Sequence, residues 1–505
     1  MKKSLRGLTV SIILIIMTSS AFATDFMDVY KDALQNDPTF QEALANRDLA
    51  QVQVPLSVAS LLPNIVGTAT GSNLRYTQTG NTPFTRTSVA LNTQGYTQKV
   101  SGFNLTLNQT IFNMQNWMNV VSAKDTVKAA YATYSFAIQN LIQRTAQAYF
   151  NVLNAEDNLT YTKAEKLAFY NQYIQAKESY EVGVKTITDV YNAKASYDNA
   201  IASYVAAQNQ VADSKEGLAA ITGRYYKSLL PLVTLPLITP VPNNIDSWTH
   251  TAITHNWQIS SAHYTMLAYQ ASIRAAEGQR LPNLAFQGQY SNTFQRTIYQ
   301  ADPSDARTKQ LQGTLNLTMP IYTGGQITAQ VQQAIAQYDL SAGQFQSAYR
   351  ETVQNTRQAF LGVISGVSKV QADQQAVISQ QSSLEGTEEG YRVGTRTMID
   401  VLNVQTNLYN ALKQNATDRY AYVMSLIDLK ENAGTLDIDD VARVNSWLGH
   451  VSFMQLKKAQ ARAKYISVVP GPIQPTKLDD NVAKPAGTTQ TPLFPTAPAP
   501  TAPAP

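Results

Sequence analysis

The 505-residue chain contains no cysteine, which excludes disulfides, thiolate metal sites and a cysteine nucleophile. The same absence excludes an acylated lipoprotein, whose mature end must be a cysteine. Charged residues make up only 15% of the chain, with many Gln, Asn, Thr and Tyr beside them. The formal charge is +4, and Lys2, Lys3 and Arg6 supply most of it. The remainder is nearly neutral, so there is no electrostatic case for nucleic acid. After Met17 no run reaches the roughly 20 apolar residues of a spanning helix. No P-loop, HExxH or GxSxG motif occurs. The four histidines, His250, His255, His263 and His450, lack metal spacing on one helix face. His250 and His255 fall near an expected helix start, as ordinary polar surface. No catalytic set, cofactor site or metal site is expected.

What the chain does have is a second copy of itself. Ser-Tyr-Glu-Val-Gly-Val-Lys-Thr-Ile-Thr-Asp-Val at 179 to 190 returns 211 residues later as Gly-Tyr-Arg-Val-Gly-Thr-Arg-Thr-Met-Ile-Asp-Val at 390 to 401. The offset holds from Gln147-Ala148-Tyr149, matched by Gln358-Ala359-Phe360, to Gly223, matched by Gly434. Duplication with long elements of equal length follows. Leu62-Pro63-Asn64 returns as Leu281-Pro282-Asn283 at a different offset, so loops differ in length between the copies.

Each copy begins with strand patterning. Phe103, Leu105, Leu107 and Ile111 alternate with Asn104, Thr106, Asn108 and Thr110, and strands are predicted over 63–76 and 99–112. In the second copy Leu311, Leu315, Leu317 and Met319 alternate with Gln312, Thr314, Asn316 and Thr318. Strands with one polar and one apolar face suit a sandwich or a membrane barrel with a wet lumen. The beginning of the chain favours the membrane. Lys2, Lys3 and Arg6 precede an apolar stretch from Leu8 to Met17, and Ala21-Phe22-Ala23 completes an expected export signal over residues 1–23. An exported chain without helical anchors enters a membrane only through strands.

Long helices follow the strands. No proline intervenes from Trp117 to Val182, and Val127, Ala130, Tyr134, Ala137, Leu141 and Ala148 recur at helical spacing. This predicts a rod of roughly 100 Å, stable only if its apolar stripe packs on neighbours. Gly183 marks a turn before a helix over 186–221. Gly394 marks the same turn between helices over 328–393 and 397–432. Each copy is therefore a strand hairpin, about 63–112 or 282–322, followed by a helical hairpin, about 117–223 or 328–432. The strands of one chain are too few to close a useful barrel, so several chains must combine.

These features resemble the TolC family of outer-membrane efflux proteins over about residues 25–440. The two helix-turn segments and Ala148-Tyr149-Phe150-Asn151-Val152-Leu153-Asn154-Ala155 carry the resemblance. It implies an α+β membrane protein in which a homotrimer forms a twelve-stranded barrel continuous with a periplasmic α-helical barrel. The expected organisation is a first repeat at 24–223, a Pro-rich linker at 224–245 marked by Pro231, Pro236, Pro240 and Pro242, and a second repeat at 246–436. An equatorial segment at 437–469 and a tail at 470–505 complete it, the tail too rich in Pro, Ala and Thr to bury a core. The resemblance further implies a passive, non-enzymatic exit duct seated in outer-membrane lipid. An inner-membrane efflux pump or ABC transporter would feed it through a periplasmic adaptor protein. Drugs, other toxic small molecules and secreted proteins are the expected cargo, with a dedicated type I protein secretion duct as the alternative. A nutrient porin needs only short periplasmic turns. A coiled-coil structural protein or adhesin, a remoter reading, has no need of alternating strands in matched pairs.

In that family, links between neighbouring helical hairpins close the periplasmic tip. The matching residues here are Asp189 with Tyr391, and Arg396 with Thr188 and Asp189. A phenol can donate to a carboxylate, and a guanidinium can hold a hydroxyl and a carboxylate together. The turns at Gly183 and Gly394 are the expected adaptor-docking tips. The family entrance carries two acids three residues apart, and here Asp400 stands at the first position but Asn403 at the second. A pore constriction at Asp400 alone should show weaker cation block. Pro55, inside an expected helix over 39–60, should kink the helix or end it early. Thr77 to Gln98 and Arg296 to Lys309 are expected to connect strands outside the cell.

Overall fold

The computed structural model describes residues 23–81, 91–233, 235–299 and 302–449, all within a compact unit spanning Met1–Pro472. The expected signal apart from its last residue, the part of the equatorial segment from 450 onward, the tail and His450 lie outside the described residues. Two helices open the described chain. Asp25 caps α1 (Phe26–Asn36), and Asp37 caps α2 (Pro38–Ala59), where Pro38 supplies a preset φ at the first helical position. Pro55 does not end α2, which continues to Ala59. The ring removes the N–H that would serve the Gln51 carbonyl, but α2 lies along the long helix Met114–Glu181, and that packing carries it past the defect.

Strands β1 (Asn64–Asn81) and β2 (Leu91–Phe112) lead into α3 (Met114–Glu181) and α4 (Ile187–Thr222). After the linker come α5 (Ile245–His255), α6 (Trp257–Gly278), β3 (Asn283–Tyr299), β4 (Asp302–Thr318), α7 (Gln326–Arg392), α8 (Met398–Asn432) and α9 (Ile438–Asn445). Helices α3 and α7 hold 68 and 67 residues, each about 100 Å long at 1.5 Å per residue.

The four strands form one antiparallel sheet in the order β1-β2-β3-β4. Residues directly opposite one another share a face, so the register separates two surfaces. Gly67, Leu105, Tyr290 and Leu311 make one row across the sheet, and Ile65, Leu107, Gly288 and Gly313 the next. Thr68, Asn104, Ser291 and Gln310 make a row on the other face, followed by Val66, Thr106, Gln289 and Gln312 and then by Asn64, Asn108, Gln287 and Thr314. One face is therefore apolar and bare, with Leu311 84% and Ile65 72% exposed. The other is an amide and hydroxyl surface, stitched along the strands by Gln310 Nε2 donating to Gln312 Oε1 at 3.1 Å and Asn104 Nδ2 to Thr106 Oγ1 at 3.0 Å.

The expected connections between strands are themselves largely strand. Pairing continues through Thr77 opposite Gly95 and through Arg296 opposite Asp305. A backbone ladder needs no apolar face, so polar sequence extends it once the register is set. Arg296 grips Asp305 in two parallel 2.7 Å hydrogen bonds, and Tyr76 stacks on Tyr96 at 5.1 Å between ring centres. At 18 and 22 residues β1 and β2 exceed the 9–11 residues a bilayer requires.

The core sits partway along the long helices. Phe26, Val29 and Tyr30 of α1 pack with Leu141, Tyr149, Phe150 and Leu153 of α3, with Tyr422, Val423 and Ile427 of α8, and with Val441 and Leu448. The linker straps this core instead of merely joining the copies. Leu229 and Leu232 are buried, the Tyr149 hydroxyl donates to the Leu230 carbonyl at 2.9 Å, and the Tyr422 hydroxyl donates to that of Ile238 at 2.8 Å. Along the interface of α3 with α8, Asn140 donates to Glu431 at 3.3 Å and Gln143 to Asp428 at 3.2 Å. Burial, with the nearby Asp428 carboxylate adding to it, pushes the Glu431 carboxyl up to about 7. Towards the sheet, α3 lies on α2 and α6, and α6 lies on α7. The helical row α2-α3-α6-α7 thus runs in the same sense as the strand row.

Candidate channel tip

Both long helices end alike. Two residues beyond α3 and α7 stand Gly183 at φ 78° and Gly394 at φ 84°, in the left-handed region that a Cβ disfavours. The N–H groups of Val184 and Lys185 donate to the Ser179 carbonyl at 2.9 and 3.2 Å, and those of Thr395 and Arg396 to the Gly390 carbonyl at 2.8 and 3.1 Å. Thr186 then caps α4 and Thr397 caps α8, each hydroxyl accepting at 3.3 Å from the N–H of the third helical residue, Asp189 or Asp400. Thr188 and Asp189 lie in the first turn of α4, Tyr391 next to the last residue of α7, and Arg396 in the second turn.

A small apolar cluster holds the two hairpins together behind these turns. It comprises Phe169 and Ala176 of α3, Val190, Ala193 and Ala200 of α4, and Met398 and Leu402 of α8, with Tyr391 packed against it. Burial, then the negative charge of Asp189, pushes the Tyr391 hydroxyl above its ordinary pKa. Asp189 and Tyr391 are thus brought together, although no hydrogen bond joins them among the described residues. Nor does a hydrogen bond or ion pair join Arg396 to Thr188 or Asp189 among those residues. Arg396 instead lies over its own turn, where a Cβ placed on Gly390 would fall 2.7 Å from its Cγ. The charged group that does touch Tyr391 is Lys185, whose Nζ stands 4.1 Å from the ring centre. Sequence reasoning missed Lys185, although it occupies the position 211 residues before Arg396.

Asp400 turns back on its helix end. Its Oδ2 accepts from the Thr397 N–H at 2.9 Å and from the Thr397 hydroxyl at 2.8 Å, closing a capping box. The backbone bond first, then the hydroxyl, with a smaller contribution from the Arg396 charge, hold its carboxyl below the usual carboxylate range. Asn403, three residues on, is exposed.

The histidines lie elsewhere. His250 is midway along α5, a correction to the expected helix start, and His255 ends it just before Asn256 and the start of α6. The helix begins earlier because Asn244 caps it, accepting from Asp246 and Ser247. The His255 Nδ1 lies 2.7 Å from Thr254 Oγ1. His263 packs between Tyr264 and Phe345, and burial lowers its pKa.

The family model for outer membrane efflux proteins matches residues 29–224 and 248–435. The chain belongs to this family and is an outer-membrane protein. It is 33% identical to the outer membrane protein TolC of Escherichia coli (strain K12) over 438 residues, which covers 85% of this chain and 86% of that protein. It is 24% identical to the proteases secretion protein PrtF of Dickeya chrysanthemi over 447 residues, covering 88% and 95%. Among solved structures, the Campylobacter jejuni CmeC outer membrane channel matches with a TM-score of 0.67 at 21% identity, over 84% of this chain and 90% of that one. At that identity the likeness speaks for the fold.

Proposed function

We propose that the chain is the outer-membrane exit duct of a tripartite export system, acting as a homotrimer. The observation that carries this reading is a sheet with one apolar face, one polar face and two edge strands, β1 and β4. Copies that join β4 of one to β1 of the next form a heterologous contact that closes as a ring and leaves no open edge. Three copies give twelve strands, with lipid on the apolar face and water on the polar one. The helices favour the same closure. On α2, at one end of the helical row, Leu49, Val52 and Leu56 form an exposed stripe, 74%, 54% and 61% accessible, which a neighbouring copy's α7 would cover.

The duplicated helical hairpins then form a periplasmic tunnel whose tips, at Gly183 and Gly394, dock a periplasmic adaptor and an inner-membrane transporter. Tyr391 and Asp189 sit together at the tip. The exposed Arg396 would reach the Thr188 and Asp189 of an adjacent copy. Asp400 supplies one carboxylate per chain to the entrance. Energy comes from the transporter, and the duct performs no chemistry.

The test is a deletion strain challenged with detergents, dyes and antibiotics, with and without the gene restored on a plasmid. Hypersensitivity that the plasmid reverses supports efflux. The similarity to a protein named for protease secretion favours a second reading, a dedicated type I secretion duct. That reading expects unchanged susceptibility and loss of specific proteins from the culture medium.

A further inference from the structure

The two tips match 211 positions apart in Tyr180 with Tyr391 and Lys185 with Arg396, while Ser179 stands at the position of Gly390. Their backbone bonding is also the same, since the residues at 184 and 185 and those at 395 and 396 donate to the carbonyls of Ser179 and Gly390. The basic side chains nonetheless go to different places. Arg396 runs over Gly390 through space that a Cβ would fill, at 2.7 Å from its Cγ. Ser179 has that Cβ. Lys185 is therefore denied the path Arg396 takes, and its ammonium rests on the Tyr391 ring of the other hairpin.

We propose that Lys185 is a positioning residue of the closed tip, holding the Tyr391 ring by a cation–π contact and so tying the α3–α4 hairpin to the α7–α8 hairpin within one chain. This inference rests on the gate reading above. The ring already packs against the apolar cluster that joins α3, α4 and α8. The ammonium adds a polar hold at the end of that cluster nearest the turns. An outward swing of α7 and α8 must part the two. The contact uses the ring face and not the phenol oxygen, which separates it from any hydrogen bond that Tyr391 makes to Asp189. The duplication therefore assigns its two cations different partners. Lys185 works inside the chain, and Arg396, lying over its own turn, stays available to a neighbouring copy.

The experiment uses the full chain reconstituted in planar bilayers. Lys185→Met is expected to raise the steady conductance roughly two- to five-fold, the size of a modest cation–π contact. Lys185→Arg, which restores a cation, should return it to the wild-type level. In a Tyr391→Phe background Lys185→Met should still raise conductance, because the ring face remains. In a Tyr391→Leu background it should add nothing. Conductance unchanged by Lys185→Met, in protein that Tyr391→Phe with Arg396→Ser does open, overturns the role of Lys185 and leaves the gate standing. Conductance unchanged by every one of these variants overturns the gate reading as well.

Discussion

At the first tip the Asp189 carboxylate stays clear of Thr186, whereas at the second Asp400 turns back and closes a capping box on Thr397. Both acids are the third residue of a helix capped by threonine, in the shared pattern Thr-x-x-Asp. Local sequence builds the same turn twice, yet the two carboxylates end with different tasks. One faces Tyr391 of the other hairpin. The other has one oxygen committed to its own helix end, where it stabilises free N–H groups and the positive end of the dipole. The difference teaches that a recurring motif fixes backbone geometry, while the use of its side chains depends on what the partner hairpin presents.

Breaking the second tip should have the largest effect. Tyr391→Phe with Arg396→Ser is expected to raise bilayer conductance several-fold over wild type. Tyr180→Phe, the matched change at the first tip, should leave conductance alone, because that ring is exposed. Equal conductance for the double variant and the wild type would remove the gate.

Asp400 sharpens the comparison next. Asp400→Ala should relieve block by multivalent cations, and Asn403→Asp should deepen it by doubling the carboxylates at the entrance. Because the Thr397 bonds depress the Asp400 pKa, block should persist as the pH falls through the ordinary carboxylate range and disappear only below it. The sign for stability is the same. The contribution of the cap is present above the unfolded pKa and lost as pH falls through the lowered folded value. Conductance titrations with a trivalent cation at descending pH read the effect. Block vanishing near pH 4, as for an unperturbed carboxyl, would place the constriction on another group.

A smaller, pH-linked asymmetry lies in the core. Glu431 is half-buried against Asn140, whereas the matched position 211 residues earlier is the exposed Ala220. With its folded pKa raised from 4.5 to about 7, Glu431 binds its proton more tightly folded than unfolded. Stability should be full below about pH 4.5 and fall as pH rises to 7, by on the order of 3 kcal/mol per chain. Glu431→Gln, which keeps an oxygen for Asn140, should flatten that slope in pH-dependent unfolding of the detergent-solubilised protein.

Periodicity made the rods, the glycine turns and the alternating strand centres legible in the sequence, because burial stripes and pleats repeat at fixed intervals. The strand ends were not legible, since the ladder through Thr77 and Arg296 is built from backbone bonds that leave no side-chain pattern. The prolines of the linker announced a connector but not that Leu229 and Leu232 are core, which depends on tyrosines reaching over from α3 and α8. At the tip, the turns and the positions of Asp189, Tyr391 and Arg396 could be read from the matched motif. The Lys185 contact could not, because it arises from one Cβ present at Ser179 and absent at Gly390.

That Cβ offers the finest test of the comparison. Ser179→Gly gives the first tip the space of the second, so Lys185 gains the path that Arg396 follows over its own turn. The ammonium should then leave Tyr391 for part of the time, and conductance should rise, though less than in Lys185→Met, because both positions of the side chain stay open to it. Glycine near the end of α3 also weakens the helix by up to about 1 kcal/mol relative to alanine, so a rise could come from fraying alone. Adding Lys185→Met separates the two causes, because fraying would persist without the lysine, and Ser179→Ala, which keeps the Cβ, tests the loss of the hydroxyl. A rise with glycine that alanine does not share, and that disappears when Lys185→Met is added, assigns the difference between the tips to that single carbon. A rise with both substitutions would trace it to the lost serine hydroxyl.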